Sequence, residues 1–406
     1  MEIKSLNIRN IYLFLLLFSI FFSETVIFDT SLPTFFLISA LILINIGILK
    51  FTKLQLSAIL LFFLYIVIIF CIEKYYNPID VNANDKASHA SSLLSNFKFY
   101  FGFIAFIFFF QIIKFDKNFV QILKYILLLS CLYIYFDALM VNTFGDIKLH
   151  QEVHTSYFLN FYIRPAGFAG NSSISAISIL FTYLILRKIY TIKFTFYETA
   201  FIFLSILLLF STTGFLTFLI IIFVINFNPK KINFYLNLII YFFLLILIFL
   251  LTKIVNPEAL QKISLDYILY VLREKIFFID YVVLSKNLIV DNSLDYFFAY
   301  KFNQFLTPIY DCFNFFLGCQ INQGYPMTSG DAGLIGFYMA TGISGVLIFL
   351  IVSLSFINFS KINIFYVVLV LLISLHYGFI FSNIGQFIYA LLLSKNLNFN
   401  KNNKYN

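Results

Sequence analysis

The chain has 406 residues, 61% of them hydrophobic and 11% charged, which excludes an ordinary soluble globular protein, where about 25% of residues are charged. With 58 Phe and 27 Tyr and a mean hydropathy of +0.93, the apolar residues form repeated continuous blocks near the ~20 residues a helix needs to cross a bilayer. A closed β-barrel, built from segments of about 10 residues that alternate apolar and polar, is excluded by that continuity. The net charge of +8 is spread over short loops instead of forming a basic stripe with a nucleic-acid-binding motif, so no nucleic-acid partner is expected.

In chain order, clusters of charge, Pro and Gly bound about twelve apolar blocks. They are Ile11–Phe28, Leu32–Leu49, Leu54–Ile72, Phe99–Ile113, Phe119–Val141, Ser173–Leu186, Phe194–Phe210, Phe215–Phe227, Phe234–Ile254, Ala332–Leu354, Ile362–Phe381 and Ile384–Leu393. Lys4 and Arg9 precede the first block, but no small-x-small cleavage site follows it, so it reads as an uncleaved first helix. Phe215–Phe227 and Ile384–Leu393 are short for full spans and fit tilted, broken or re-entrant helices. The expected architecture is an all-α polytopic membrane protein with about twelve transmembrane helices and one large, partly helical periplasmic loop. Residues 1–254 carry the helices before that loop, 255–330 form it, and 331–406 carry the last helices and a cytoplasmic tail.

Positive charge orients the chain. Alternate loops hold Lys4/Arg9, Lys50/Lys53, Lys114/Lys117, Arg187/Lys188/Lys193, Lys230/Lys231, Lys361 and Lys395/Lys401/Lys404, which places these loops and both termini on the cytoplasmic side and the long loop on the periplasm or cell exterior. The opposite side takes short turns near Asp29, Thr212 and Ser382 and the longer connections Glu73–Lys98, Asn142–Ser172 and Val255–Gly330, where most acidic residues lie. Trp is absent, so Tyr supplies any aromatic interface belt.

The Val255–Gly330 loop is too aromatic for a disordered linker. Asn256-Pro257-Glu258 is a good helix start, and Ile263, Tyr267, Val271 and Phe278 follow near helical spacing beside Lys262, Asp266, Arg273 and Asp280; this predicts an amphipathic helix along the membrane face. No fixed-period repeat is visible, and the two halves do not mirror each other as in inverted-repeat transporters.

The most informative short stretch is Arg164-Pro165-Ala166-Gly167-Phe168-Ala169-Gly170-Asn171-Ser172-Ser173. It puts an Arg beside two turn-forming Gly residues and a helix start capped by Asn171 or Ser172, an arrangement suited to phosphate or diphosphate. A capped helix with an interfacial Arg against lipid headgroups fits the same residues. Thr212-Thr213-Gly214 reads as a tight capped turn or as hydroxyls facing a polar cavity. After the long loop comes Gly330-Asp331-Ala332-Gly333, with Gly336, Ala340 and Ser344 at four-residue spacing, a small-residue packing face. Asp331 is either a cap or a carboxylate with a substrate role, and Arg273 either a second phosphate ligand or part of a solvated face.

His150 and His154 flank Glu152, and His376 lies near a span end. Without nearby Cys or a His-Glu-x-x-His frame, no metal site is expected. Glu24 and Asp137 lie inside or near span ends, where facing water accounts for them. Cys71 and Cys131 are expected to be packing residues inside the membrane, while Cys312 and Cys319 share the outer loop, where a disulfide can persist.

Together these residues resemble the O-antigen polymerase and O-antigen ligase superfamily of bacterial envelope polysaccharide enzymes. Arg164-Pro165-Ala166-Gly167-Phe168 with Gly170-Asn171 is similar to that family's Arg, Gly, aromatic and Asn signature before a span. Arg273 through Phe316-Leu317-Gly318-Cys319-Gln320 is similar to the family loop and its Gly-containing close, and Gly330-Asp331 through Gly342-Ile343-Ser344-Gly345 to the helix that follows. Ligase members generally carry a His in the large outer loop; Val255–Gly330 has none, which favours the polymerase branch. The resemblance implies glycosyl transfer at the periplasmic face, from an undecaprenyl-diphosphate-linked oligosaccharide to another lipid-linked repeat unit. It implies no cofactor or nucleotide sugar, and a chain-length regulator protein as a partner. On that reading Arg164, Gly167, Asn171 and Arg273 surround the diphosphate, and Asp331, with His154 second, serves as the base on the acceptor. An O-antigen ligase or a lipid-linked oligosaccharide flippase is the alternative.

Overall fold

A computed structural model describes residues 2–25, 32–76, 99–113, 116–144, 157–158, 162–211, 214–215, 217–218, 221, 315–318, 333–357, 361–376 and 378–394. The structure is helical: α1 (Glu2–Phe21), α2 (Leu32–Ile44), α3 (Lys53–Tyr76), α4 (Phe99–Ile112), α5 (Lys117–Phe144), α6 (Ser172–Leu184), α7 (Phe196–Leu208), α8 (Gly333–Phe356), α9 (Lys361–His376) and α10 (Asn383–Leu393). A two-residue antiparallel pair, β1 (Tyr157–Phe158) and β2 (Tyr162–Ile163), lies between α5 and α6. Each helix overlaps an apolar block read from the sequence. Helix α1 starts well before Ile11, since Lys and Arg are good helix formers. Two of the described helices, Lys117–Phe144 and Ser172–Ile189 with its terminal π turn, are long and apolar enough to cross a membrane.

Helices α6 and α10 occupy the centre. All of α10 is buried, and all of α6 except Ile174, as expected for a helix packed on every side. Helix α10 lies against α1, α6 and α9. Its Phe387 meets Phe21 of α1 and Phe106 and Phe110 of α4, and Tyr389 packs between Phe103 of α4 and Phe349 of α8. These edge-on and offset ring contacts carry both area and geometry. The Tyr389 hydroxyl reaches Ser353 Oγ at 3.0 Å.

The core is mostly apolar, yet polar side chains are buried in it and apolar ones cover the outside. Ser130, Asp137, Ser173, Ser178, Ser205, Asn383 and Gln386 are buried, while α3 exposes Leu54, Leu60, Leu64 and Val67, α5 exposes Leu132, Phe136 and Leu139, and α9 exposes Phe365, Val368 and Leu372. Cys131 is buried as expected, but Cys71 stands exposed on α3. Cys71 therefore does not pack inside the bundle, because apolar periodicity alone does not separate an inward face from an outward one when both are apolar; an outward place on an apolar helix still fits burial in lipid.

Antiparallel succession brings the charged starts and ends of helices together at one end. Arg9 pairs with Asp116 at 2.8 Å, beside a cleft of about 380 Å³ lined by Arg9, Tyr12, Asn45, Ile112 and Ile113. Lys124 of α5 pairs with Glu198 of α7 at 2.6 Å and stands 5.0 Å over the Phe194 ring. Gln55 at the start of α3 donates to the Ser355 carbonyl at the end of α8, at 3.3 Å.

Helix α8 is interrupted. Gly342 has φ 63 and ψ −169 inside it, so the four-residue spacing from Gly336 to Ser344 does not form one continuous packing face as the sequence suggested. A turn at residues 315–318 sits on the break: the Phe315 carbonyl accepts from Ile343 N at 2.9 Å and the Phe316 carbonyl from Ser344 N at 3.1 Å. Ser344 Oγ adds a 2.5 Å bond to the Phe316 carbonyl.

Candidate functional site

The candidate site lies at the end opposite Arg9, where α1 and α5 finish and α6 and α10 begin. Its frame is the Arg164 segment. Gly167 and Gly170 have φ of 74 and 65, a left-handed backbone that costs a residue with a Cβ about 1–2 kcal/mol. At Gly167 a Cβ would also stand 2.6 Å from Ser175 Oγ. These two turns deliver the chain to Asn171, whose Oδ1 accepts from Ser173 N at 2.9 Å and Ile174 N at 3.3 Å, capping α6. Phe168 between them is fully buried against Phe21 and Phe22 of α1.

Side chains of α5 and α6 hold the segment peptide by peptide. Asn142, in the last turn of α5, donates to the Ile163 carbonyl at 2.9 Å and accepts from Ile163 N at 2.8 Å. Asp137 Oδ2 accepts from Gly167 N at 2.8 Å. Ser175 of α6 donates to the Ala166 carbonyl at 3.0 Å and accepts from Ala169 N at 3.1 Å. Arg164, half-buried, is bracketed by these anchors.

Other elements close on the same end. Ser173 and Ser211 hydroxyls lie 2.7 Å apart, and Ser211 accepts from Gly214 N at 3.0 Å. Ser211 and Gly214, which flank the two threonines, thus meet the distant Arg164 stretch at the start of α6; Thr212 and Thr213 lie outside the described residues. The Glu24 Cβ lies 3.2 Å from where a Cβ on Gly170 would stand, and Asn383, opening α10, donates to Ser23 Oγ at 3.1 Å.

Of the residues expected to act, Arg164, Gly167 and Asn171 share this one loop. His154, Arg273 and Asp331 lie outside the described residues, as do His150, Glu152, Cys312 and Cys319. Asp137, read from sequence as facing water, is instead fully buried; the loop folds back over it and takes its carboxylate oxygen. Asn142 and Ser175 were not singled out at all. The available signal was Asp137 itself, since a carboxylate within an apolar span is a functional candidate by default.

Chemically, the Asn171 side chain already occupies the N–H groups of Ser173 and Ile174. An anion here would rely on the Arg164 guanidinium and the positive end of α6 more than on those donors. Among the described residues no group of His, Cys, Asp and Glu is placed to hold a metal ion. Comparison with protein-family models, with curated proteins and with solved structures finds no match to this chain.

Proposed function

We propose that this protein is a polysaccharide polymerase of the O-antigen type, joining undecaprenyl-diphosphate-linked oligosaccharide repeat units at the periplasmic face of the bacterial inner membrane. The single observation that carries the reading is the Arg164 segment: an Arg three residues before the left-handed turn that leads into a capped helix start, its flanking backbone fixed from within the helical bundle by Asp137, Asn142 and Ser175. Support for a membrane setting comes from the two span-length helices and from helix faces that expose large apolar side chains while Asp137, Asn383 and several Ser and Thr side chains are buried, a distribution that a lipid solvent tolerates. The layout of about twelve spans with cytoplasmic termini follows the alternating basic loops.

In the reaction, the acceptor hydroxyl oxygen bonds to the anomeric carbon of the donor sugar while the bond from that carbon to the diphosphate oxygen breaks. The hydroxyl proton passes to a base and the lipid diphosphate leaves with the electron pair. Arg164 and the start of α6 stabilise the charge on that leaving group, the kind of fixed electrostatic contribution that dominates many enzymes. Arg273 adds a second cation, and Asp331, or His154, takes the proton.

The test is deletion of the gene with analysis of surface polysaccharide, complemented by Arg164→Ala at matched protein level. The expected outcome is single repeat units at the surface for both the deletion and the variant. Long chains retained on carrier lipid would assign a ligase, and repeat units trapped inside a flippase. Normal long-chain polymer from Arg164→Ala would remove Arg164 from the site.

A further inference from the structure

We infer that Asp137, assisted by Asn142, is the positioning residue for Arg164, an inference that rests on the polymerase reading and deepens it. Ile163, immediately before Arg164, has both its backbone groups taken by Asn142. Gly167, three residues after it, gives its N–H to Asp137. The peptide run that carries the guanidinium is therefore fastened on both sides to one helix, α5. Asp137 lies seven residues before Phe144, so the Gly167 anchor is about 10 Å below the end of α5 at 1.5 Å per residue. The loop is consequently held from the interior of the bundle, not laid across its surface.

The chemistry of the anchor is specific. Asp137 is fully buried, and a buried carboxylate is costly where packing alone is required, because an apolar residue of similar size avoids its desolvation. A neutral amide would satisfy one N–H equally well. What the carboxyl group adds is two oxygens and no NH2, so the Gly167 N–H is met whichever way the side chain turns, whereas an amide can present its NH2 instead. The left-handed turn at Gly167 aims its N–H down at that carboxylate, and Ser175 locks the peptides of Ala166 and Ala169 on the other side. Asp137 touches no substrate in this scheme; it acts through the loop.

Two measurements on the full chain test this. First, with Cys71, Cys131, Cys312 and Cys319 replaced by Ser and Ala166→Cys introduced, labelling by a membrane-impermeant maleimide should rise about fivefold or more when Asp137→Leu frees the loop, as expected when a local opening becomes easier. Asp137→Asn, which keeps an acceptor for Gly167 N–H, should give a smaller rise. Second, proteoliposomes supplied with lipid-linked repeat units extracted from the deletion strain report polymerisation against donor concentration. Asp137→Asn should raise the half-saturating donor concentration about tenfold with the maximal rate within about threefold, the signature of lost binding in place of lost chemistry. In an Arg164→Lys background, which keeps a cation and measurable turnover, the same substitution should add clearly less than tenfold, as expected for two residues acting as one unit.

Unchanged labelling in Asp137→Leu overturns the anchoring and leaves the polymerase reading standing. An equal loss with and without the Arg164→Lys substitution overturns the positioning role in favour of a general structural one. Normal polymer from Arg164→Ala overturns the polymerase site and this inference with it. If Asp137→Leu fails to accumulate, Asn142→Ala with the same labelling readout decides the matter, since it loosens the loop from its exposed side.

Discussion

Two segments of this protein dock on the helical bundle, and they are held in opposite ways. The Arg164 loop is fastened by side chains: Asp137, Asn142 and Ser175 reach out to its backbone. The 315–318 turn is fastened chiefly by backbone, its carbonyls filling the donors that Gly342 frees at the break in α8. A side-chain anchor can be tuned one residue at a time, whereas a backbone anchor depends on the conformation of a single glycine. The loop that carries a candidate charged ligand has the tunable kind.

The largest expected effect comes from attacking the backbone anchor. At Gly342 a Cβ would stand 2.5 Å from the Phe316 carbonyl, on top of the penalty for a positive φ, so Gly342→Val should destabilise the chain by about 3 kcal/mol or more. Thermal unfolding of the purified protein in detergent checks this; an unchanged midpoint would mean that the turn does not depend on Gly342. The side-chain anchor should yield more gently. Asn142→Ala removes three hydrogen bonds, two to Ile163 and one to the Ala138 carbonyl, at a partly exposed site and should cost about 1–2 kcal/mol by the same measurement. Smallest should be Ser344→Ala. It deletes the hydroxyl's bond to the Phe316 carbonyl and a long one to the Thr341 carbonyl while the two main-chain bonds to the turn remain, so a loss of about 0.5–1 kcal/mol is expected, and a larger one would show that the 315–318 turn also relies on side chains.

The helices were legible because apolar blocks and basic turns are local features; Lys53, Lys117 and Arg187 mark ends that the structure places where the charge pattern put them. The Arg164 stretch was legible too, since Gly167, Gly170 and Asn171 announce turns and a cap from their own chemistry. What holds that stretch was not. Asp137 and Gly167 are thirty residues apart, and nothing in either neighbourhood names the other. The break in α8 was hidden for a different reason. Gly342 and Gly345 stand within one short run, and only Gly342 takes a positive φ, because only there does another strand of backbone supply partners.

The central position of α10 bears on how the chain assembles. This helix is enclosed by α1, α4, α6, α8 and α9, and every one of those is synthesised before it. Until α10 arrives, the rings of Phe21, Phe103, Phe106, Phe110 and Phe349 that will enclose it lack their partners in the middle of the bundle. Its eleven residues extend about 16 Å, roughly half of a bilayer's hydrocarbon thickness, so it is poorly suited to wait in lipid by itself. Closure of the fold is thus a late event, in which one short helix seats Asn383 against Ser23 and Phe387 against Phe21 and completes the interior.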